Sequence, residues 1–333
     1  MSAQVVPSLG NCLLSAEQQY SPWAAERRKP SNGRQIYVMQ GNVYWEPIEI
    51  EILNIRNLTL SSYEDLEHAD LSWAAAAGRQ RSYNTGESYS GVNAFSLGIL
   101  SRVNGYTDGR WMTSQRAERL GRTVLPGAPK CTVIKPRIRE VERKDGEVVK
   151  KLVGFWQAEV YNACVLDVPI RRERETCYFL NDVVEKLLSC SDSKIVDDGY
   201  GIYSWQSDII HLPDKRKLPL NRYYSEILRM LVRSTGSSER ADRTNSYWQY
   251  IPRVAEEVIV ELGAQMLGGR LGIEVKPSSV KECSDAKRGR IRDWLRDCEV
   301  SEFSLILTKA SEACEWLYAH YCNALGGAAV VSC

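Results

Sequence analysis

The chain has 333 residues, 44% of them hydrophobic and 26% charged. That is enough for about two domains, each with a buried core, and it excludes a disordered, collagen-like or coiled-coil chain. The 43 basic and 42 acidic residues nearly cancel, so the whole molecule is no polycation, and any nucleic-acid surface must be a local excess.

No apolar run reaches the ~18 residues of a membrane span. The start, Met-Ser-Ala-Gln-Val-Val-Pro, lacks the basic and apolar regions of a signal peptide. Ten cysteines run from Cys12 to Cys333 without a Cys-x-x-Cys pair, and the histidines are His68, His211 and His320. These numbers predict free thiols in a reducing compartment and no structural zinc.

Residues 1–35, with Pro7, Pro22, Pro30 and Gly33, read as an irregular arm. Gly41-Asn42 between the apolar runs 36–40 and 43–45 predicts a hairpin. Ile48, Ile50 and Ile52 alternate with Glu49 and Glu51, which predicts a half-buried strand. Residues 62–78 read as one helix with an acidic first turn. A Gly/Asn/Ser loop over 83–93 then leads into an apolar helix over 94–103. Thr113 is placed to cap a short helix that ends before Gly121. Residues 131–143 and 147–164 form a long hairpin around Lys144-Asp145-Gly146. An Arg/Glu cluster, a helix over 180–188 and a polar stretch to Gly199 follow, and the domain boundary is placed there. Beyond it, helices are predicted over 221–235, 252–268, 286–298 and 301–325.

Residues 76–172 hold 17 Lys/Arg against 9 Asp/Glu. The cations interleave with Tyr83, Tyr89, Tyr106, Trp111, Trp156 and Tyr161. Single-stranded nucleic acid asks for this mixture, cations for phosphates and flat rings for unstacked bases. Strand aromatics packing a core beside a solvated charged hairpin would give the same composition.

The motifs sharpen the reading. They are Asn84-Thr85-Gly86-x-x-Tyr89-x-Gly91-x-Asn93, then Arg110-Trp111-Met112-Thr113-Ser114-Gln115-Arg116-Ala117, then Leu120-Gly121 and Val160-Tyr161-Asn162. Over about residues 79–168 the chain resembles the N-terminal domain of the ArdC-type antirestriction proteins. The resemblance implies single-stranded-DNA binding, with Tyr89, Asn93, Arg110, Trp111, Arg116, Lys130 and Tyr161 as the contacting residues. Two departures stand out. The family's basic turn is Pro126-Gly127-Ala128-Pro129-Lys130 here, and the family's Gln near Val165 is missing. Residues 1–60 have no counterpart in the resemblance.

Residues 200–325 resemble the zincin-type metallopeptidase domain of the same family. The resemblance runs through Asp208-Ile209-Ile210-x-Leu212-Pro213, Tyr223-Tyr224-Ser225, Thr235-Gly236, Arg240-x-Asp242-Arg243 and Glu256-Glu257-x-x-x-Glu261-Leu262-Gly263-Ala264. Where the family's His-Glu-x-x-His should stand, this chain reads Arg229-Met230-Leu231-Val232-Arg233. In that motif two imidazoles hold the metal and the Glu activates water. Arginine keeps its proton near neutral pH and cannot ligate a cation, and Met230 cannot act as a base. The expectation is a pseudoenzyme with no catalytic residue, metal or cofactor. Glu257 and Glu261 lie four apart on a helix predicted to be buried, and buried carboxylates need partners. One reading pairs them with Arg229 and Arg233, so that two guanidinium charges replace the metal's two. The other leaves Arg222, Glu226, Arg229 and Arg233 as a solvated face. His211 reads as a half-exposed strand residue, and the basic run Lys287, Arg288, Arg290, Arg292 and Arg296 as a solvated helix.

The predicted fold is α+β, an N-terminal α/β single-strand-binding-like domain followed by a mainly helical zincin-like domain. The expected divisions are an extension over 1–60, the ArdC-like domain over 61–175, a linker over 176–199 and the zincin-like domain over 200–333. The expected function is single-strand binding and DNA protection in a phage or mobile element. The site of action is the host cytoplasm or the virion, and no membrane is involved. The alternative is a structural or assembly protein that reuses both domains as scaffolds for protein partners. Nothing in the sequence argues for a hydrolase using an unrelated site.

Overall fold

The computed structural model describes residues 46–64, 70–142, 148–168, 170, 179–241, 243, 253–277 and 285–326. The expected hairpin at Gly41-Asn42, the Lys144-Asp145-Gly146 turn, the Arg/Glu cluster at 171–178 and Asp242 lie outside them.

The chain divides into two units. The first, 1–39 with 138–152, contributes the outer ends of strands β3 (Cys131–Glu142) and β4 (Val148–Asn162). The second, 40–137 with 153–333, holds the described helices. The fold is mixed α and β, as the sequence predicts.

Helix α1 spans Glu46–Glu64, which corrects the expected strand at Ile48–Ile52. Ile48, Ile52, Ile55 and Thr59 are buried at helical spacing while Ile50 is 50% exposed. Over five residues a period of two and a period of 3.6 share the positions i and i+4, and only the longer run separates them. The single helix expected over 62–78 is also corrected. Asp70 and Leu71 are not helical, and α2 occupies only Ser72–Ala77.

Helix α3 runs Gly91–Asn104 and ends at Gly105, whose φ of 64° lies in the left-handed region that suits a helix C-terminus. Helix α4 is Ser114–Arg119, and the Thr113 side chain accepts from the Arg116 N–H as expected of its cap. Strands β1 (Arg81–Ser82), β2 (Arg110–Met112), β4 and β3 form one sheet in the order β1-β2-β4-β3. β1 and β2 are parallel, joined through α3, and β2 runs antiparallel to β4 with Trp111 opposite Asn162.

Helix α5 is Leu180–Ser189. The polar stretch before Gly199, expected as irregular linker, is instead the start of strand β5 (Lys194–Ser204), which pairs with β6 (Ile209–Pro213). Of β5, only Tyr203 is buried, so its sequence shows no apolar alternation to read. Lys194–Asp197 run parallel to Ile209–Leu212, and the register reverses after Gly199.

Helices α6 (Leu220–Ser234), α7 (Arg253–Leu271), α8 (Asp285–Asp297) and α9 (Val300–Ala324) complete the order close to the predicted bounds. In α7, 15 of 19 residues are buried, and it packs against α2, α6, α8 and α9. Helix α2 reaches α3 and α7 through bare backbone. A Cβ at Gly98 would come within 2.6 Å of the Ala77 nitrogen, and one at Gly269 would overlap the Ala75 carbonyl. The main hydrophobic core runs from Ile48 to Tyr321 and draws on residues either side of position 199. No helix among the described residues is long and apolar enough to cross a membrane.

Candidate functional site

Helix α6 turns its charged flank onto α7. Arg229 is 6% exposed and Glu261 also 6%. The guanidinium grips the carboxylate as a fork, Nε to Oε2 at 2.7 Å and Nη2 to Oε1 at 3.1 Å. Nη1 donates to Glu226 Oε1 at 2.7 Å, and Nη2 also donates to the Lys276 carbonyl. One turn on, Arg233 forks onto Glu257 at 2.7 and 3.1 Å, and Lys287 of α8 reaches the same carboxylate at 2.8 Å. Burial alone would raise the Glu257 carboxyl, but Arg233 and Lys287 outweigh it and hold it below the usual value. Deeper still, Arg243 bonds both oxygens of Glu256 at 3.0 and 3.2 Å, together with Thr235 Oγ1 and the Val232 carbonyl.

Four carboxylates (Glu226, Glu256, Glu257, Glu261) therefore meet four cations (Arg229, Arg233, Arg243, Lys287). Gln265 donates to Glu261 and to the Val275 carbonyl, and Ser225 accepts from the Lys276 N–H. These bonds tie α6, α7 and the 273–277 segment together. Of the two readings of the α6 flank, Arg229 and Arg233 are in the paired one. Met230, between them, is 5% exposed and belongs to the core. Sequence reasoning missed Gln265, and it noted Arg243 only as part of the Arg240-x-Asp242-Arg243 motif. Gln265 stands four residues after Glu261, a spacing that could have found it.

In the N-terminal half the structure assigns several expected contact residues to internal work. Trp111 is 1% exposed, packs with Leu97 and Val160, and donates Nε1 to Gln80 Oε1 at 2.5 Å. Arg110 is buried, donates to both oxygens of Asp108 and lies 5.7 Å from the Tyr83 ring centre. Asn93 exchanges two bonds with the Ile134 backbone, 2.7 and 2.9 Å, docking α3 on β3. Trp111 and Arg110 are thus buried and bonded within the protein, and Asn93 is half-buried. Gln80 and Asp108 were missed, and Asn162 was noted only as part of the Val160-Tyr161-Asn162 motif. Gln80 also accepts from Ser101, and Asn162 donates to the Asp108 carbonyl.

Tyr89, Arg116 and Tyr161 are half-buried, and burial raises the Tyr89 phenol. Lys130 is exposed and pairs with Glu159 of β4. On β4 itself Trp156 is 61% exposed, and Lys135 of β3 is exposed too.

A family model described as the N-terminal domain of anti-restriction factor ArdC matches residues 59–162, and one described as a zincin-like metallopeptidase matches 182–296. Together they span most of the chain. The chain joins an ArdC-type N-terminal domain to a zincin-like domain.

Two crystal structures of the antirestriction ArdC protein from plasmid R388 share this fold, each covering 80% of this chain and 97% of that one. The metal-free form aligns with a TM-score of 0.60 at 24% identity, and the Mn(II)-bound form with 0.58 at 23%. The DNA primase TraC of Escherichia coli is 26% identical over 215 residues, 58% of this chain. The match spans only 15% of that primase's length.

A zincin-like domain implies a metal, and the residues of this chain do not fit one. Arg229 and Arg233 offer only donors, and both oxygens of Glu261 are taken by Arg229. The network is already balanced in charge. Among the described residues no three His, Cys, Asp or Glu gather as a metal-binding group.

Proposed function

We propose that this chain binds single-stranded DNA of a phage or mobile element and shields it from nucleases, while its zincin-like half serves as a pseudoenzyme scaffold. In this reading residues 61–175 contact the strand and 200–333 support them. The observation that carries it is Trp156. A tryptophan with 61% of its surface open, on a strand within a stretch of 17 cations against 9 carboxylates, is what unstacked bases and phosphates require. Arg116, Lys130 and Tyr161 stand beside it in the proposal.

The test titrates the protein against a labelled ~30-nucleotide strand and its duplex at two salt concentrations, where single-strand preference and steep weakening with salt are expected. Trp156→Ala should weaken strand binding by about 1–3 kcal/mol. Absence of binding at low salt would overturn the proposal.

The scaffold reading is favoured by the inward engagement of Arg110, Trp111 and Asn93, and that same absence would direct attention to protein partners. For the pseudoenzyme half, the Arg229–Glu261 fork is the support. Chelator-washed protein should carry well under one zinc or manganese per chain, and a stoichiometric metal would refute it.

A further inference from the structure

Helix α8 carries five cations against three carboxylates. Ile291, Leu295 and Cys298 are buried along one stripe. Arg288, Arg292 and Arg296 follow at four-residue spacing on the adjoining flank, about 6 Å apart along the axis. Like charges so spaced repel one another. Arg296 reaches Glu64 of α1 at 2.7 Å and Asp293 at 3.5 Å. Across the same seam Arg56 of α1 gives Nη1 to the Cys298 carbonyl at 2.7 Å. The Nε atoms of Arg56 and Arg292 are shielded from solvent and meet no acceptor. Arg290, on the other flank, is exposed.

We propose that α8, from Arg290 on one flank to Arg292 at the α1 seam on the other, is a second phosphate-contacting surface, holding the backbone of the same single strand bound by the N-terminal half. The inference rests on the single-strand reading. Guanidinium groups match phosphate oxygens in fork geometry, and the partly exposed Arg292 would meet a phosphate through its terminal nitrogens.

The test compares the full chain with Arg290→Gln and with Arg290→Gln/Arg292→Gln on the labelled strand across a salt series. Each lost phosphate contact should flatten the log–log salt dependence by ~0.7, about 1.4 for the double variant. Arg290→Lys/Arg292→Lys should keep the parental slope. The single variant changes an exposed residue, so a folding defect in the double would not hide the result. Unchanged slope and affinity in both Gln variants, with the parent binding normally, would overturn this surface and leave the N-terminal reading standing. Failure of the parent to bind any strand would overturn both.

Discussion

Arg229→Met is expected to lower the free energy of unfolding by about 3–5 kcal/mol. The substitution leaves the Glu261 carboxylate buried with only Gln265 beside it, and it strips Glu226 and the Lys276 carbonyl of a donor. Desolvating an uncompensated carboxylate outweighs the gain from an apolar side chain. Arg229→Met/Glu261→Met should then be more stable than Arg229→Met alone, because the second change removes the stranded charge. Urea denaturation of the two singles and the double closes the cycle. Strict additivity would mean that the fork contributes nothing as a pair. Arg233→Met should cost less, since Lys287 still faces Glu257 and both side chains are partly exposed.

Trp111→Ala should cost about 3–5 kcal/mol through the space it opens beside Leu97 and Val160. It also removes one of the two donors to Gln80 Oε1. Any loss of strand binding in this variant is expected to follow the unfolded fraction. Trp111→Phe keeps most of the volume and separates the alternatives. Folded Trp111→Phe protein should bind a single strand with parental affinity, and a tenfold loss with an unchanged melting curve would return Trp111 to the interface. Arg110 belongs with it, because Asp108 neutralises the guanidinium inside the sheet edge.

Much of the fold was legible because the helical runs were long. Helices α6 to α9 repeat their apolar stripe over three turns or more, and such a pattern survives small errors of phase. Thr113 and Gly121 bracket α4 by local backbone chemistry alone, which needs no tertiary context. Two short stretches misled for opposite reasons. At Ile48–Ile52 an alternation of five residues fits either period. In β5 only Tyr203 is buried, so no apolar alternation was there to find.

By itself, the sequence determined the two domain types, the order of the helices from α3 onward and the loss of the metal motif, for these reside in residue identity and spacing along one element. It narrowed the candidate contacts to a basic, aromatic stretch without saying which residues face outward. Tertiary structure alone decided that Trp111 and Arg110 point inward, that Trp156 points out, and that Arg229 meets Glu261 while Arg233 meets Glu257. The physical reason is the range of the interaction. Periodicity reports the face on which a side chain lies. The partner waiting there, 32 residues on for Arg229 and 24 for Arg233, is chosen by how two helices pack.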